Sequence, residues 1–318
     1  MDKIHVAVIF GGVSSEHEIS LRSATSVLHE IDRSRFQVTM VGITKDGRWL
    51  LYSGEISGLM DGTWESHPDN RPAFLVPDAS IGGLVCLDGD QAKKIPVDVV
   101  FPVLHGQNGE DGTIQGLLEM AQIPYVGCGV LSSATSMDKA VAHNILEHAG
   151  VPMAHWILVN KANYSLPVLD TRIQMELDYP VFVKPANAGS SVGVSKVHSA
   201  QELEKALEEA FQVDDKVLVE EAIVGHEVEC AVLGNLEPQA STVGEIAPKQ
   251  AFYSYSAKYS DDSTDLYIPA HISQQSLERV RQLAVKVFST MGCRGLSRVD
   301  FFVREDGSVV LNELNTMP

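Results

Sequence analysis

The sequence predicts an α/β protein, α+β in parts. An open α/β N-terminal domain is expected over residues 1–127, a small central α+β domain over 128–222 and a C-terminal α+β domain over 223–318. Three observations predict this. The chain opens in the order strand, helix, strand, which is the order of an open α/β sheet. Its character changes around residues 127–129, where the regular alternation gives way to short strands and helices. From Ile223 onward strands dominate, interrupted by one long amphipathic helix.

Residues 4–10 are a β-rich run ended by Gly11 and Gly12. A helix follows from about Glu18, with Leu21, Ala24, Val27, Leu28 and Ile31 on one stripe. Ser15 and Glu18 have the spacing of a capping box at its start. Residues 37–43 read as a second strand. Residues 97–104 form a third, near-continuous apolar strand of the kind buried in a parallel sheet. Between them, residues 45–94 are rich in Gly, Asp and Pro and read as loops with short strands.

The central part opens with a helix over 137–148, stopped at Gly150. Strands follow at 181–184 and 192–197, then a charged helix over 202–211 and a strand at 217–220. The third part has strands at 228–233 and 242–246, then a polar and aromatic stretch over 249–267. A helix over 274–291 carries the stripe Leu277, Val280, Leu283, Ala284, Val287, Phe288 and Met291, and Gly292 supplies its stop. Residues 296–303 and 308–315 close the chain as a hairpin.

Bulk properties narrow the function. The chain of 318 residues is 44% hydrophobic and 21% charged, ample for packed cores. A formal net charge of −18 argues against nucleic acid, which needs a cationic surface. Cys86, Cys128, Cys230 and Cys293 are scattered, with no C-x-x-C pair, as in a reducing compartment. No signal peptide and no apolar run of about 18 residues is found, so a cytoplasmic protein without a membrane span is expected.

The closing hairpin is the most informative local feature. A two-residue turn at Asp306-Gly307 pairs Glu305 with Ser308 and, counting outward, Asp300 with Glu313 and Arg298 with Asn315. The period of two puts these four on one face. Facing carboxylates destabilise a sheet. Mg²⁺ removes the conflict, because it takes carboxylate and amide oxygens and shares phosphate oxygens as further ligands. Asp300, Glu313 and Asn315 are thus candidate metal ligands and Arg298 a candidate anion holder. A solvated outer face, with Arg298 neutralising the acids, is the plainer alternative.

Other pieces point to phosphate. The strand 181–184 ends at Lys184-Pro185, and Asn187-Ala188-Gly189-Ser190-Ser191-Val192-Gly193 leads into the next strand. Such a loop lies over phosphates and aims backbone N–H groups at them. It lacks the G-K-[ST] of a Walker A loop. Lys139 and Lys184 balance phosphate charge in this reading, or are ordinary surface lysines. Ser136-x-x-Lys139 also matches the S-x-x-K of penicillin-binding enzymes, but no S-D-N or K-T-G accompanies it, and that reading is rejected. Glu220-Glu221-Ala222-Ile223 is an inter-strand linker whose backbone suits adenine, or an ordinary turn. Glu16, in the loop after the first strand, is a candidate for a substrate ammonium or a first-turn acid favoured by the helix dipole.

Taken together and in order, Phe10-Gly11-Gly12-x-Ser14-x-Glu16, His105-Gly106-x-x-Gly109-Glu110-Asp111-Gly112, Met137-Asp138-Lys139, Lys184-Pro185 with Gly189-Ser190-Ser191-x-Gly193, Lys258-Tyr259, and Arg298-x-Asp300 with Asn312-Glu313-x-Asn315-Thr316 resemble the D-alanine–D-alanine ligase family of the ATP-grasp fold. The resemblance spans nearly the whole chain. It implies that Glu16, Ser190 and Tyr259 orient the first D-alanine and that Lys139 and Lys184, with Ser191 in their loop, bind phosphates. It implies that Glu220, Ile223 and Glu227 form the adenosine site, with Glu227 on the ribose, and that Lys258 touches the γ-phosphate. Asp300, Glu313 and Asn315 would ligate two Mg²⁺ ions, with Mn²⁺ as a substitute, and Arg298 would stabilise the tetrahedral intermediate. The implied activity is ATP-dependent ligation of two D-alanines through an acyl phosphate, for peptidoglycan precursors, by a cytoplasmic homodimer. The stretch 249–267 would close as a lid. The family continues past Thr316-Met317-Pro318 into a Gly- and Ser-containing loop that helps bind the acceptor carboxylate, so part of the acceptor pocket is expected beyond this sequence. A same-fold ligase using D-serine as acceptor, and less so D-lactate, is the nearest rival. A nucleotide-binding module without catalysis is the rival from another class.

Overall fold

A computed structural model of the chain describes residues 3–248 and 264–318. The chain forms two compact units, residues 1–134 with 317–318, and residues 135–316.

The first unit is built on a seven-stranded mixed sheet. Strand β1 (Ile4–Gly11) lies between β2 (Phe36–Ile43) and β7 (Val99–Val103), both parallel to it. Strands β3 (Trp49–Tyr52), β4 (Arg71–Leu75), β5 (Gly83–Asp88) and β6 (Gln91–Pro96) extend the sheet antiparallel from β2. The region read as loops with short strands therefore widens the sheet. Alternation along β1 splits the core. Val6, Val8 and Phe10 face helix α1 (His17–Glu30), with α2 (Ser57–Asp61) and Trp64 in the same cluster. Ala7 and Ile9 face α3 (Thr113–Ala121). Gly42 on β2 makes room for Trp64, whose ring carbon would lie 2.1 Å from an added Cβ.

The expected capping box does not organise the start of α1. The cap position is Glu16, with φ −94° and ψ 16°, and its side chain makes no capping bond. The Glu18 carboxylate instead accepts a hydrogen bond from Lys45 at 2.7 Å, and the Ser14 hydroxyl accepts from the Glu16 N–H at 3.0 Å. Two chemically adequate partners compete for Glu18, and the lysine brought by the β2–β3 turn wins.

Helix α4 (Val130–Met137) crosses the boundary between the units. The helix expected over 137–148 begins at Lys139, as α5 (Lys139–His148), because Asp138 takes an extended backbone and accepts from Val141 N–H at 3.1 Å. Asp138 also pairs with Lys216. Replacing Asp138 with alanine is expected to cost about 1–2 kcal/mol through the lost cap, read as a lower urea midpoint at unchanged m-value.

The second unit holds two antiparallel sheets. The first runs β10-β9-β11-β8, from β8 (Trp156–Asn160), β9 (Val181–Pro185), β10 (Ser195–Val197) and β11 (Lys216–Glu221). Helices α6 (Leu166–Glu176) and α7 (Ala200–Ala210) cover one face through Leu169, Ile173, Leu203 and Leu207. Ala140 of α5 packs on the other face with Leu218 and Trp156. The second sheet runs β14-β13-β12-β15-β16, from β12 (His226–Gly234), β13 (Gln239–Pro248), β14 (Thr264–Tyr267), β15 (Gly295–Val303) and β16 (Val309–Asn315). Helix α8 (Gln274–Thr290) packs on β12, β13 and β15 with its buried stripe of Val280, Leu283, Ala284, Val287 and Phe288. Of the stretch expected as a lid, 249–263 lies outside the described residues and Thr264–Tyr267 is strand β14. No described helix is long and apolar enough to cross a membrane.

Candidate active site

The terminal hairpin pairs Asp300 with Glu313 and Arg298 with Asn315, as the sequence predicts, but by a different route. The turn has three residues, not two. Arg304 N–H donates to Ser308 O at 2.9 Å and Gly307 N–H donates to Arg304 O at 2.9 Å. Gly307 carries the left-handed φ of 82° that closes such a loop. This offsets the ladder by one residue, so that Val303 faces Val309 and Phe301 faces Leu311. A β-bulge at Asn312 restores the register before Asp300 is reached. A regular strand would send Asn312 and Glu313 to opposite faces; the bulge lets both line one cavity.

Asp300 is only 5% exposed. Arg298 donates to it through a fork, Nε to Oδ1 and Nη2 to Oδ2, both at 2.7 Å. The Asn315 amide donates to Oδ2 at 3.0 Å. Arg298 Nε also lies 3.1 Å from Glu229 Oε2. Glu229 faces Asp300 across β12 and β15, so three carboxylates run in a row over three strands. Asp300 above all holds the guanidinium well above its ordinary range; burial opposes this, and Glu229 and Glu313 add to it. Among the described residues no group of three or more His, Cys, Asp and Glu forms a ready cation cage. The donor set is two facing carboxylates and an amide, which fits a hard divalent cation that completes its shell with phosphate oxygens.

Next to this hairpin is a cavity of about 630 Å³. Eight of the expected site residues line it, namely Lys139, Lys184, Ser190, Ser191, Glu220, Ile223, Glu227 and Glu313. Asp300, Arg298 and Asn315 stand beside Glu313 on the same hairpin. The loop after Lys184 is tied at its base, where Asp214 accepts from Asn187 N–H at 2.9 Å and from its amide at 2.8 Å. Lys139 N–H donates to Ala186 O at 3.0 Å, and its Nζ donates to Ala188 O at 2.6 Å. Ser190 and Ser191 both adopt left-handed backbones, φ 50° and 60°. Such conformations cost of order 1 kcal/mol each in a non-glycine residue. They turn successive backbone groups as anion-binding nests do.

Lys184 donates to Glu220 Oε2 at 2.7 Å. Burial pushes the Lys184 ammonium down, but Glu220, with Glu313 and Glu227, outweighs it and leaves the group raised. Burial likewise pushes Glu220 up, and Lys184 and His143 reverse this, leaving it lowered. His143 is buried, meets Trp156 edge-on at 5.4 Å and lies 3.8 Å from Glu220 Oε1. Burial above all holds it below its ordinary value, against the pull of Glu220.

Glu16 belongs to the first unit, where it occupies the cap position of α1 close to Gly106; an added Cβ there would lie 2.3 Å from Glu16 Oε2. Gly106 opens the loop after β7, so both loops sit at the carboxyl ends of neighbouring parallel strands. Within that loop Glu110 accepts from Gly106 N–H at 2.8 Å and from Met317 N–H at 3.0 Å. Lys258 and Tyr259 lie outside the described residues. Sequence reasoning missed Glu229 and His143, and named Asn312 only within a motif, without a role. Glu229 had a signal in its even spacing from Glu227 on one strand; His143 had none, since burial decides it, and a bulge decides where Asn312 points.

Comparison with known proteins gives a consistent result. The profile of the D-ala D-ala ligase N-terminus matches residues 5–128, and that of the D-ala D-ala ligase C-terminus matches residues 145–318. A D-alanine–D-alanine ligase of Caldicellulosiruptor bescii is 50% identical over 321 residues, covering 100% of this chain and 87% of its own. One from Acetivibrio thermocellus is 51% identical over 333 residues, covering 100% and 88%. The crystal structure of the VanG D-Ala:D-Ser ligase from Enterococcus faecalis superposes with a TM-score of 0.91 at 42% identity, covering 100% of this chain and 91% of that one.

Proposed function

The chain belongs to the D-alanine–D-alanine ligase family, an ATP-grasp α/β fold, and from that premise we propose that it joins two D-alanines into D-alanyl-D-alanine for peptidoglycan precursors, converting ATP to ADP and phosphate. One observation carries the proposal. A single cavity is lined by three lysines, Lys139, Lys184 and Lys196, a strained serine loop and a carboxylate of the facing acid pair. That set suits a nucleoside triphosphate with its cation.

The chemistry balances as follows. The carboxylate of the first D-alanine attacks the γ-phosphorus, and the bond to ADP breaks, giving an acyl phosphate. The amine of the second D-alanine attacks the acyl carbon; phosphate departs and the amine loses a proton. Lys139 and Lys184 neutralise phosphate charge, and the backbone around Ser190 and Ser191 cradles it. Glu220 and Ile223 accept the adenine through their backbone, and Glu227 the ribose. Glu16, with Ser190 and Tyr259, orients the first D-alanine, and Lys258 meets the γ-phosphate. Arg298 stabilises the oxyanion of the second step. Asp300, Glu313 and Asn315 would hold Mg²⁺, with two ions and replacement by Mn²⁺ proposed from the same donor set. Bound there, the cation would supply charge neutralisation to the transferring phosphoryl group.

We further propose the division into domains over 1–127, 128–222 and 223–318, supported by three separate sheets. A homodimer and a cytoplasmic location are proposed as well, the latter supported by four free cysteines.

Incubation with ATP, Mg²⁺ and D-alanine alone is expected to release ADP and yield D-alanyl-D-alanine by mass spectrometry. Lack of ADP formation with D-alanine would sink the proposal. The likeness to the D-Ala:D-Ser ligase favours one second reading, with D-serine as acceptor. Competition between D-alanine and D-serine decides it, and predominant D-alanyl-D-serine would establish the second reading.

A further inference from the structure

Glu229 has no part in the function proposed above, yet it shares Arg298 with Asp300. The fork from Arg298 engages both Asp300 oxygens, and Asn315 takes Oδ2 as well. Glu229 approaches the same guanidinium from the neighbouring strand, its Oε2 3.1 Å from Nε. On its other side β13 presents Gly244, where an added Cβ would lie 3.6 Å from Glu229 Cγ.

This arrangement poses a conflict. An aspartate whose oxygens are saturated by a guanidinium and an amide has few lone pairs left for a cation. If Asp300 turns to a cation, Arg298 loses its fork, and a half-buried guanidinium without an anion is costly. A second carboxylate already in contact with Nε resolves this by a short swing of one side chain. We propose that Glu229 is a positioning residue that receives Arg298 when Asp300 turns to a divalent cation, keeping the guanidinium aimed at the reacting acyl group. The inference rests on the reading that Asp300, Glu313 and Asn315 hold that cation. Glu313 and Lys184 face the same space, and Glu313 acts on both cations.

The test uses crystal structures of the intact protein, one free of divalent cations and one with Mn²⁺ and ADP, the metal located by anomalous scattering. The expected result is the fork on Asp300 in the first and hydrogen bonds from Arg298 to Glu229 in the second. Glu229→Gln should lower kcat about 10–100-fold, as a misaimed group does, with KM for ATP within about threefold and no recovery at saturating Mg²⁺. Glu229→Asp, which keeps the charge, should fall less and serves if the glutamine variant does not fold. The inference is overturned if Arg298 keeps its fork on Asp300 with Mn²⁺ bound, if Glu229→Gln matches the parent, or if excess Mg²⁺ restores its activity, since that marks a mere contribution to cation attraction. Absence of Mn²⁺ from Asp300, Glu313 and Asn315 is a separate result that removes the metal reading and the inference with it.

Discussion

Asp300→Asn lowers kcat/KM for ADP formation by about 10²–10³-fold, the loss expected when one preorganised charge at a phosphoryl-transfer site is removed. The argument is geometric. Asp300 is buried, faces Glu313 on the next strand and is the strongest anion on Arg298. Asparagine keeps the size and one acceptor oxygen but removes the charge that both a cation and the guanidinium need. Glu313→Gln should cut activity comparably while disturbing stability less, because Glu313 is not the fork partner of Arg298. Steady-state assays across a Mg²⁺ titration, with urea unfolding of each variant, separate the two contributions. An Asp300→Asn enzyme within about threefold of the parent would remove the hairpin from the chemistry altogether.

Lys184→Met destabilises the protein by about 3–5 kcal/mol at neutral pH, the range for breaking a buried pair by removing one partner. Its side chain is 15% exposed and that of Glu220 is 6% exposed, so solvent does little to compensate the orphaned carboxylate. Glu220→Gln in the same chain should recover most of that stability without recovering nucleotide binding, since phosphate loses its lysine either way. The pH dependence follows from the two shifts. Glu220 is lowered below its ordinary 4.5, so its contribution is full above that value and is lost as pH falls through the folded pKa. Lys184 is raised above its ordinary 10.5, so its contribution is full below that value and is lost as pH rises through the folded pKa. The penalty of Lys184→Met should therefore be greatest across the neutral range and shrink in acid. Equal penalties at neutral pH and well below 4.5 would disprove the coupling.

Much of this was legible in the sequence because it is local. Runs of β-forming residues marked β1, β2 and β15, a period of 3.6 marked α1 and α8, and strand arithmetic put Asp300 opposite Glu313. What failed was decided elsewhere in the chain. The Ser15–Glu18 capping box was a sound local motif, yet Lys45, 27 residues on, captured Glu18. The helix over 137–148 starts late because Asp138 serves as cap and as partner of Lys216 at once. Helices α3 and α6 went unread: α3 is short and carries Gly116, and α6 has Pro167 in its first turn. The pairing of Lys184 with Glu220 depends on β9 and β11 being neighbours, which no window of sequence reveals. Glu229 shares a strand face with Glu227, but its meaning comes from Asp300 on the strand beside it.

The hairpin carries a last lesson. Its tip holds one residue more than the simplest turn, and Asn312 takes up the surplus. A tight turn with no bulge would bring the same two acids face to face, so an error of threading made at the tip is corrected before it reaches them. A hairpin with the tight turn and no bulge would differ from this one in whether Asn312 lines the cavity beside Glu313. The tip around Asp306 is accordingly where a spectroscopic label or a short epitope can be grafted while the acids keep their places.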